Sequence, residues 1–261
     1  MANYFLKHVL SAGTKNKLRR IKREAQGYWF HNNLDRLGRI YKTDKVGAHF
    51  YTPYYSLHFQ KFKYKRVNLL EIGVGGYENP TAGGESLRMW KKYFPFGQIF
   101  SLDIHDKSAL QEKRIKIFKG SQVDIEALNN ICNEIKPIHL IIDDGSHINE
   151  HVITTFEFLF PKLTNGGIYV IEDTQTSYWK NYGGDSSRDN PNTVMNYFKQ
   201  FADGLNYKEF ILPGYKPTYF NKNVISIHFY HNLIFIYKGK NKEESNLVID
   251  NTFRRRKQRP I

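Results

Sequence analysis

Two short acidic motifs carry the chemistry open to this sequence. Asp143-Asp144-Gly145-Ser146-His147 follows the apolar run His139-Leu140-Ile141-Ile142, and Glu172-Asp173 follows residues 168–171. If the two runs are neighbouring parallel strands, four carboxylates and an imidazole converge on one side of a cleft. Such crowding of negative charge is costly unless a cation neutralises it. Oxygen donors of this kind suit Mg²⁺, Mn²⁺ or Ca²⁺, and the lack of cysteine or paired histidine ligands disfavours zinc. Turn capping by Asp143 and Asp173, with His147 on the surface, accounts for single carboxylates and leaves their clustering unexplained. A third motif, Glu71-Ile72-Gly73-Val74-Gly75-Gly76, places glycines where a strand turns toward a helix and the backbone can approach a ligand. The dinucleotide fingerprint G-x-G-x-x-G fails there, because position 78 is Glu78.

These motifs need a frame that brings them together. From residue 67 onward short apolar runs alternate with helix-period segments, the signature of a sheet wound by crossover helices. The spacing predicts strands over 67–74, 98–104, 115–120, 140–143 and 168–171. It predicts helices over 86–94, over 124–135 with Asp124 as cap, and over 149–163, the last ended by Asn165-Gly166-Gly167. Residues 174–190 have no period and read as a lid or binding loop. Asn190-Pro191 reads as the cap and first turn of a helix carrying Val194, Tyr197, Phe198 and Phe201. Residues 224–230 and 233–238 read as an antiparallel hairpin about His231-Asn232. The predicted fold is α/β: a Rossmann-like sheet of about seven strands, mostly parallel with a C-terminal antiparallel hairpin, binding ligand at the carboxyl ends of its strands. Its predicted organisation is an N-terminal helical appendage over 1–66 that covers cofactor and substrate, a main domain over 67–240, and a basic tail over 241–261.

Composition narrows the class further. A chain of 261 residues can bury a sizeable core without staples, and a mean hydropathy of −0.58 argues against an integral membrane protein. No signal peptide is legible, since Lys7 and His8 break the apolar patches around Phe5 and Val9. With Cys132 the one cysteine, a reducing, cytoplasmic setting is expected. The net charge of +14 is uneven: residues 1–25 carry +6, residues 254–259 carry +5, and residues 26–253 only +3. Basicity confined to the ends is suited to anionic lipid at the inner membrane face, to polyanionic glycan or to nucleic acid, and is equally what solvated termini look like.

An acidic residue, then G-x-G-G, then Asp103 at the end of the next strand resembles the way class I methyltransferases hold S-adenosylmethionine: glycines against its amino-acid portion, a carboxylate on its ribose. On that likeness Glu71, Gly73, Gly75, Asp103 and Asp143 are candidates for the cofactor, with Gln122 and Asp124 where the class contacts adenine. Over roughly residues 34–180 the sequence is similar to one family, the S-adenosylmethionine- and Mg²⁺-dependent sugar O-methyltransferases of macrolide biosynthesis, with the related rhamnosyl O-methyltransferases and cephalosporin-hydroxylase group. The shared motifs are Thr43-Asp44-Lys45, Tyr51-Thr52-Pro53, Ile72 to Tyr77, Ser86 to Trp90, Leu102-Asp103-Ile104, Asp143 to His147, Ile171-Glu172-Asp173 and Thr176 to Trp179. The resemblance implies metal ligation by Asp144, Glu172 and Asp173, and a general base at His147.

The implied reaction is displacement of a methyl group from a sulfonium by a sugar hydroxyl. Mg²⁺ or Mn²⁺ would lower the pKa of that hydroxyl, His147 would accept its proton, and Tyr178 and Trp179 would stack on the sugar ring, unless they serve only as apolar plugs of their loop. A diol or phenol acceptor outside sugar chemistry stays open. A specific nucleic-acid substrate is disfavoured, because D-D-G-S-H stands where base-amino methylation uses N/D-P-P-Y. The sequence names neither the acceptor nor the oligomer, and a homo-oligomer stays open.

Overall fold

The computed structural model describes residues 11–253; the basic stretch from Arg254 and Lys7 lie outside the described residues. Seven strands form one sheet: β1 (Asn68–Ile72), β2 (Gln98–Asp103), β3 (Ile115–Lys119), β4 (Ile138–Asp143), β5 (Leu163–Glu172), β6 (Val224–Tyr230) and β7 (Leu233–Lys238). Their order is β3-β2-β1-β4-β5-β7-β6. Parallel pairing sets Ile72 opposite Asp143 and Asp143 opposite Ile171. The β5–β7 and β6–β7 pairs are antiparallel. Strands β1 and β4 are buried nearly throughout, Glu71 of β1 included, as expected of strands covered on both faces. The strand order reverses between β1 and β4, where an α/β sheet opens a crevice at the carboxyl ends of its strands.

The chain divides into two compact units. The first takes in the described residues to Val67 with 74–101 and 105–117, and holds helices α1 (Ala12–Trp29), α2 (Leu34–Tyr41), α3 (Thr52–Phe59) and α4 (Glu85–Tyr93). Its core includes Tyr55, Phe59 and Trp90, with Tyr55 edge-on to the Trp90 ring at 4.9 Å. The second takes in 68–73, 102–104 and the described residues from Phe118, with α5 (Ile125–Ile135), α6 (Asn149–Leu159), α7 (Val194–Leu205) and α8 (Tyr219–Asn223). Its core is aromatic: Phe156 of α6 packs edge-on against Tyr169 at 5.0 Å and Phe198 at 4.7 Å.

Three segments depart from the sequence expectation. The helix predicted over 149–163 ends at Leu159, passes through a 3-10 turn at Phe160–Lys162, and β5 has begun by Leu163. Pro161 is the reason: its ring fits the start of a tight turn and cannot extend α6. Asn165-Gly166-Gly167 therefore lies inside β5 and does not end a helix. Helix α7 starts at Val194, capped by the Thr193 hydroxyl, which accepts from the Asn196 N–H; the Asn190 carbonyl accepts from the Thr193 hydroxyl instead, closing a turn ahead of the helix. Residues 174–190 are not structureless. Two 3-10 turns, Thr174–Tyr178 and Lys180–Tyr182, are held by the Asn149 side-chain amide, which donates to the Thr176 and Tyr182 carbonyls.

Candidate metal and cofactor site

The carboxyl ends of three adjacent strands gather the acidic groups. Glu71 of β1, Asp144 just past β4, and Glu172 closing β5 each offer a carboxylate oxygen, and these lie within 4.8 Å of one another. Glu71 and Glu172 are buried. Asp144 is pinned by its N–H, which donates to the Ile72 carbonyl at 3.0 Å. Gly73 makes that approach possible: its φ is 95°, and a Cβ there would overlap the Asp144 carbonyl oxygen.

A second trio shares Asp144. Asp144, His147 and Asp173 also bring ligand atoms within 4.8 Å of one another, with His147 Nε2 3.6 Å from Asp173 Oδ2 and 3.9 Å from Asp144 Oδ1. Both His147 (φ 58°) and Asp173 (φ 54°) sit in the left-handed region, which costs a non-glycine residue about 1–2 kcal/mol. Surrounding bonds hold them there. The Ser146 N–H donates to Gln122 Oε1 at 2.8 Å and the Ile148 N–H to Ser146 Oγ, while the Thr176 hydroxyl donates to the Asp173 carbonyl at 3.0 Å. Non-glycine residues kept in sparsely populated backbone conformations cluster where function fixes a side chain.

Behind the cluster lies a buried polar network. Gln122 Nε2 donates to Asp143 Oδ1 at 3.3 Å and to Thr155 Oγ1 at 3.0 Å, and the Tyr169 hydroxyl donates to Asp143 Oδ2. Burial pushes the Asp143 carboxyl up to about 7, against hydrogen bonds from Gly145, Gln122 and Tyr169 that act to lower it. Asp124 caps α5, accepting from the Ala127 N–H at 3.0 Å. Asp103 closes β2 and is half-buried. Gly75 has φ 77° and faces open space. Tyr178 and Trp179 stand about half exposed, Trp179 tilted against Tyr182.

The structure thus joins Asp144, Glu172, Asp173 and His147, and joins Gln122 to Asp143. Tyr178 and Trp179 belong to neither acidic trio. It adds Glu71 to the carboxylate cluster, a place the sequence reading did not give it. The available signal was an acidic residue inside the buried run Asn68-Leu69-Leu70-Glu71-Ile72, since a buried carboxylate needs a partner or a cation. Hard oxygen donors at this mutual spacing fit a divalent cation such as Mg²⁺ or Mn²⁺, and the described acidic trios contain no thiolate.

No family model matches the chain. Over 214 residues, 81% of this chain and 54% of the relative, it is 44% identical to mycinamicin VI 2''-O-methyltransferase of Micromonospora griseorubida. It is 44% identical over 200 residues to the 8-demethyl-8-alpha-L-rhamnosyl tetracenomycin-C 2'-O-methyltransferase of Streptomyces olivaceus, covering 76% of this chain and 53% of that one. Among solved structures it matches the MycE methyltransferase in complex with Mg, SAH and mycinamycin VI, with a TM-score of 0.78 and 45% identity over 81% of this chain and 55% of that chain. The chain is a homologue of these sugar O-methyltransferases. Its sheet is the class I methyltransferase fold of MycE, as the strand pattern predicts. The chain spans about half the length of the curated relatives it matches.

Proposed function

We propose that the protein is an S-adenosylmethionine-dependent, divalent-metal-assisted O-methyltransferase acting on a hydroxyl of a sugar or glycosylated molecule. The observation that carries this reading is the meeting of Glu71, Asp144 and Glu172 beside His147 and Asp173, in a chain 44% identical to a sugar O-methyltransferase. Asp144, Glu172 and Asp173 would hold the cation, with Glu71 completing the acidic wall. Bound there, Mg²⁺ or Mn²⁺ would lower the pKa of an acceptor hydroxyl and fix its orientation. His147 would accept the hydroxyl proton, and S-adenosylmethionine, when bound, would supply the methyl group from its sulfonium and leave as a thioether. Asp103, at the end of β2, would accept hydrogen bonds from the ribose hydroxyls, and the glycines Gly73 and Gly75 would take the amino-acid portion. Gln122 and Asp124 line the adenine side in this reading, and Asp143 supports it from behind. Tyr178 and Trp179 offer exposed rings to the acceptor sugar.

The reading places the reaction in the cytoplasm. No described helix is long and apolar enough to cross a membrane. The test is methyl transfer from labelled S-adenosylmethionine to a panel of glycosides, before and after EDTA. Activity is expected to vanish with the chelator and to return with Mg²⁺ or Mn²⁺; full turnover by metal-free protein would overturn the site assignment.

A further inference from the structure

Helix α1 has an apolar stripe on the side turned away from the unit that holds it. Gly27 is buried, and a Cβ there would run into the Tyr41 hydroxyl. Glu24 pairs with Lys92 at 2.7 Å and accepts from the Tyr41 hydroxyl, and Arg23 lies over the Tyr41 ring. These contacts define the docked face. At about 100° per residue Leu18 stands opposite Gly27, and Ile21, Ala25, Tyr28 and Trp29 fall within a quarter turn or so of Leu18. The side chains agree with this geometry: Leu18 is 41% exposed, Ile21 55%, Tyr28 73% and Trp29 79%. Flanking the stripe are Lys15, Arg19 and Lys22 on one side and Lys17 on the other, and Glu24 is the helix's single acidic residue.

An apolar strip bordered by cations and ending in Tyr and Trp has the build of a helix that lies in the plane of an anionic membrane. Its apolar side chains would enter the headgroup boundary, the lysines and arginines would meet lipid phosphates, and the two aromatic rings would sit at the interfacial level they favour. We infer that α1 is a docking surface for an anionic lipid bilayer. Two other occupants fit less well. In a helix pair of two copies, the stripe at Leu18, Ile21, Ala25 and Tyr28 would have Lys15, Lys17 and Lys22 at its flanking positions, where like charges repel, and Glu24 is already engaged by Lys92. A nucleic acid would use the cations and leave the apolar strip in water. The inference rests on the first unit alone and stands independently of the reaction proposed above.

The test is flotation of the full chain with vesicles of phosphatidylcholine alone or mixed with phosphatidylglycerol. The protein is expected to float with the mixed vesicles only, less so as salt rises, since such attraction is screened over ~8 Å at physiological ionic strength. Leu18→Gln with Ile21→Gln should lower the partition coefficient about tenfold, and neutralising Lys17 and Lys22 about fivefold for each cation removed. All four residues are on the helix surface, so circular dichroism should match the parent. No flotation of the parent chain with anionic vesicles overturns the inference, and so does unchanged flotation of the Leu18→Gln/Ile21→Gln variant, which would leave only a charge effect. Sedimentation velocity separates the rival: concentration-dependent association lost in the same variant would assign the stripe to a second copy of the chain and overturn the lipid assignment.

Discussion

The acidic cluster at the ends of β1, β4 and β5 and the basic helix α1 are two strongly charged regions, and they are assembled in opposite ways. Cluster residues come from three strands far apart in the chain, are buried or half-buried, and meet only because parallel pairing sets Ile72 beside Asp143 and Asp143 beside Ile171. The helix takes all its cations from one continuous stretch, and nearly all its side chains face solvent. Charge that must act on a bond is desolvated and held at fixed distances, at an electrostatic cost that a bound cation offsets. Charge that attracts a surface can stay hydrated, exposed and local in sequence.

Substitutions should separate the two regions cleanly. The largest effect is expected from Asp144→Asn, because that carboxylate belongs to both acidic trios; methyl transfer should fall to background while cofactor binding measured by calorimetry persists. Turnover near the parent level would remove Asp144 from the metal site. Next comes His147→Ala, expected to slow turnover by about 10²–10⁴ with bound metal nearly unchanged. If the slowed variant also lost its metal, the imidazole would be a ligand and not a base. A smaller loss is expected from Asp103→Ala: a missing charged hydrogen bond should weaken S-adenosylhomocysteine binding by about 10- to 150-fold, with metal affinity unmoved. The smallest effect belongs to the other region. Leu18→Gln with Ile21→Gln should leave turnover on a small soluble acceptor within about twofold and stability within about 0.5 kcal/mol. A large loss there would mean that α1 serves the reaction as well as location.

Much of the frame could be read before the fold was seen. The hairpin over 224–230 and 233–238 appears at those residues, because apolar runs bracketing a polar His231-Asn232 leave few alternatives, and Asn232 tolerates its φ of 59°. Asp124 caps α5 as its position suggests. The end of α6 was less legible: the apolar stripe continues through Leu163, and Pro161 decides that Phe160–Lys162 turn tightly into β5. The packing of residues 174–182 was also hidden, since it depends on the Asn149 side chain reaching two carbonyls distant in sequence.

Residue types and their order by themselves determined the alternation of strands and helices, the acidic motifs at two strand ends, the glycine turn after β1 and the concentration of cations near the ends of the chain. These are local properties, written in periodicity and composition. Tertiary structure alone decided that Glu71 joins Asp144 and Glu172, that Gln122 ties Ser146 to Asp143, and that the apolar stripe of α1 faces away from Tyr41. Each of those depends on which elements become neighbours. Strand order and the docked face of a helix are settled by the packing of the whole core, and no short stretch of sequence contains them.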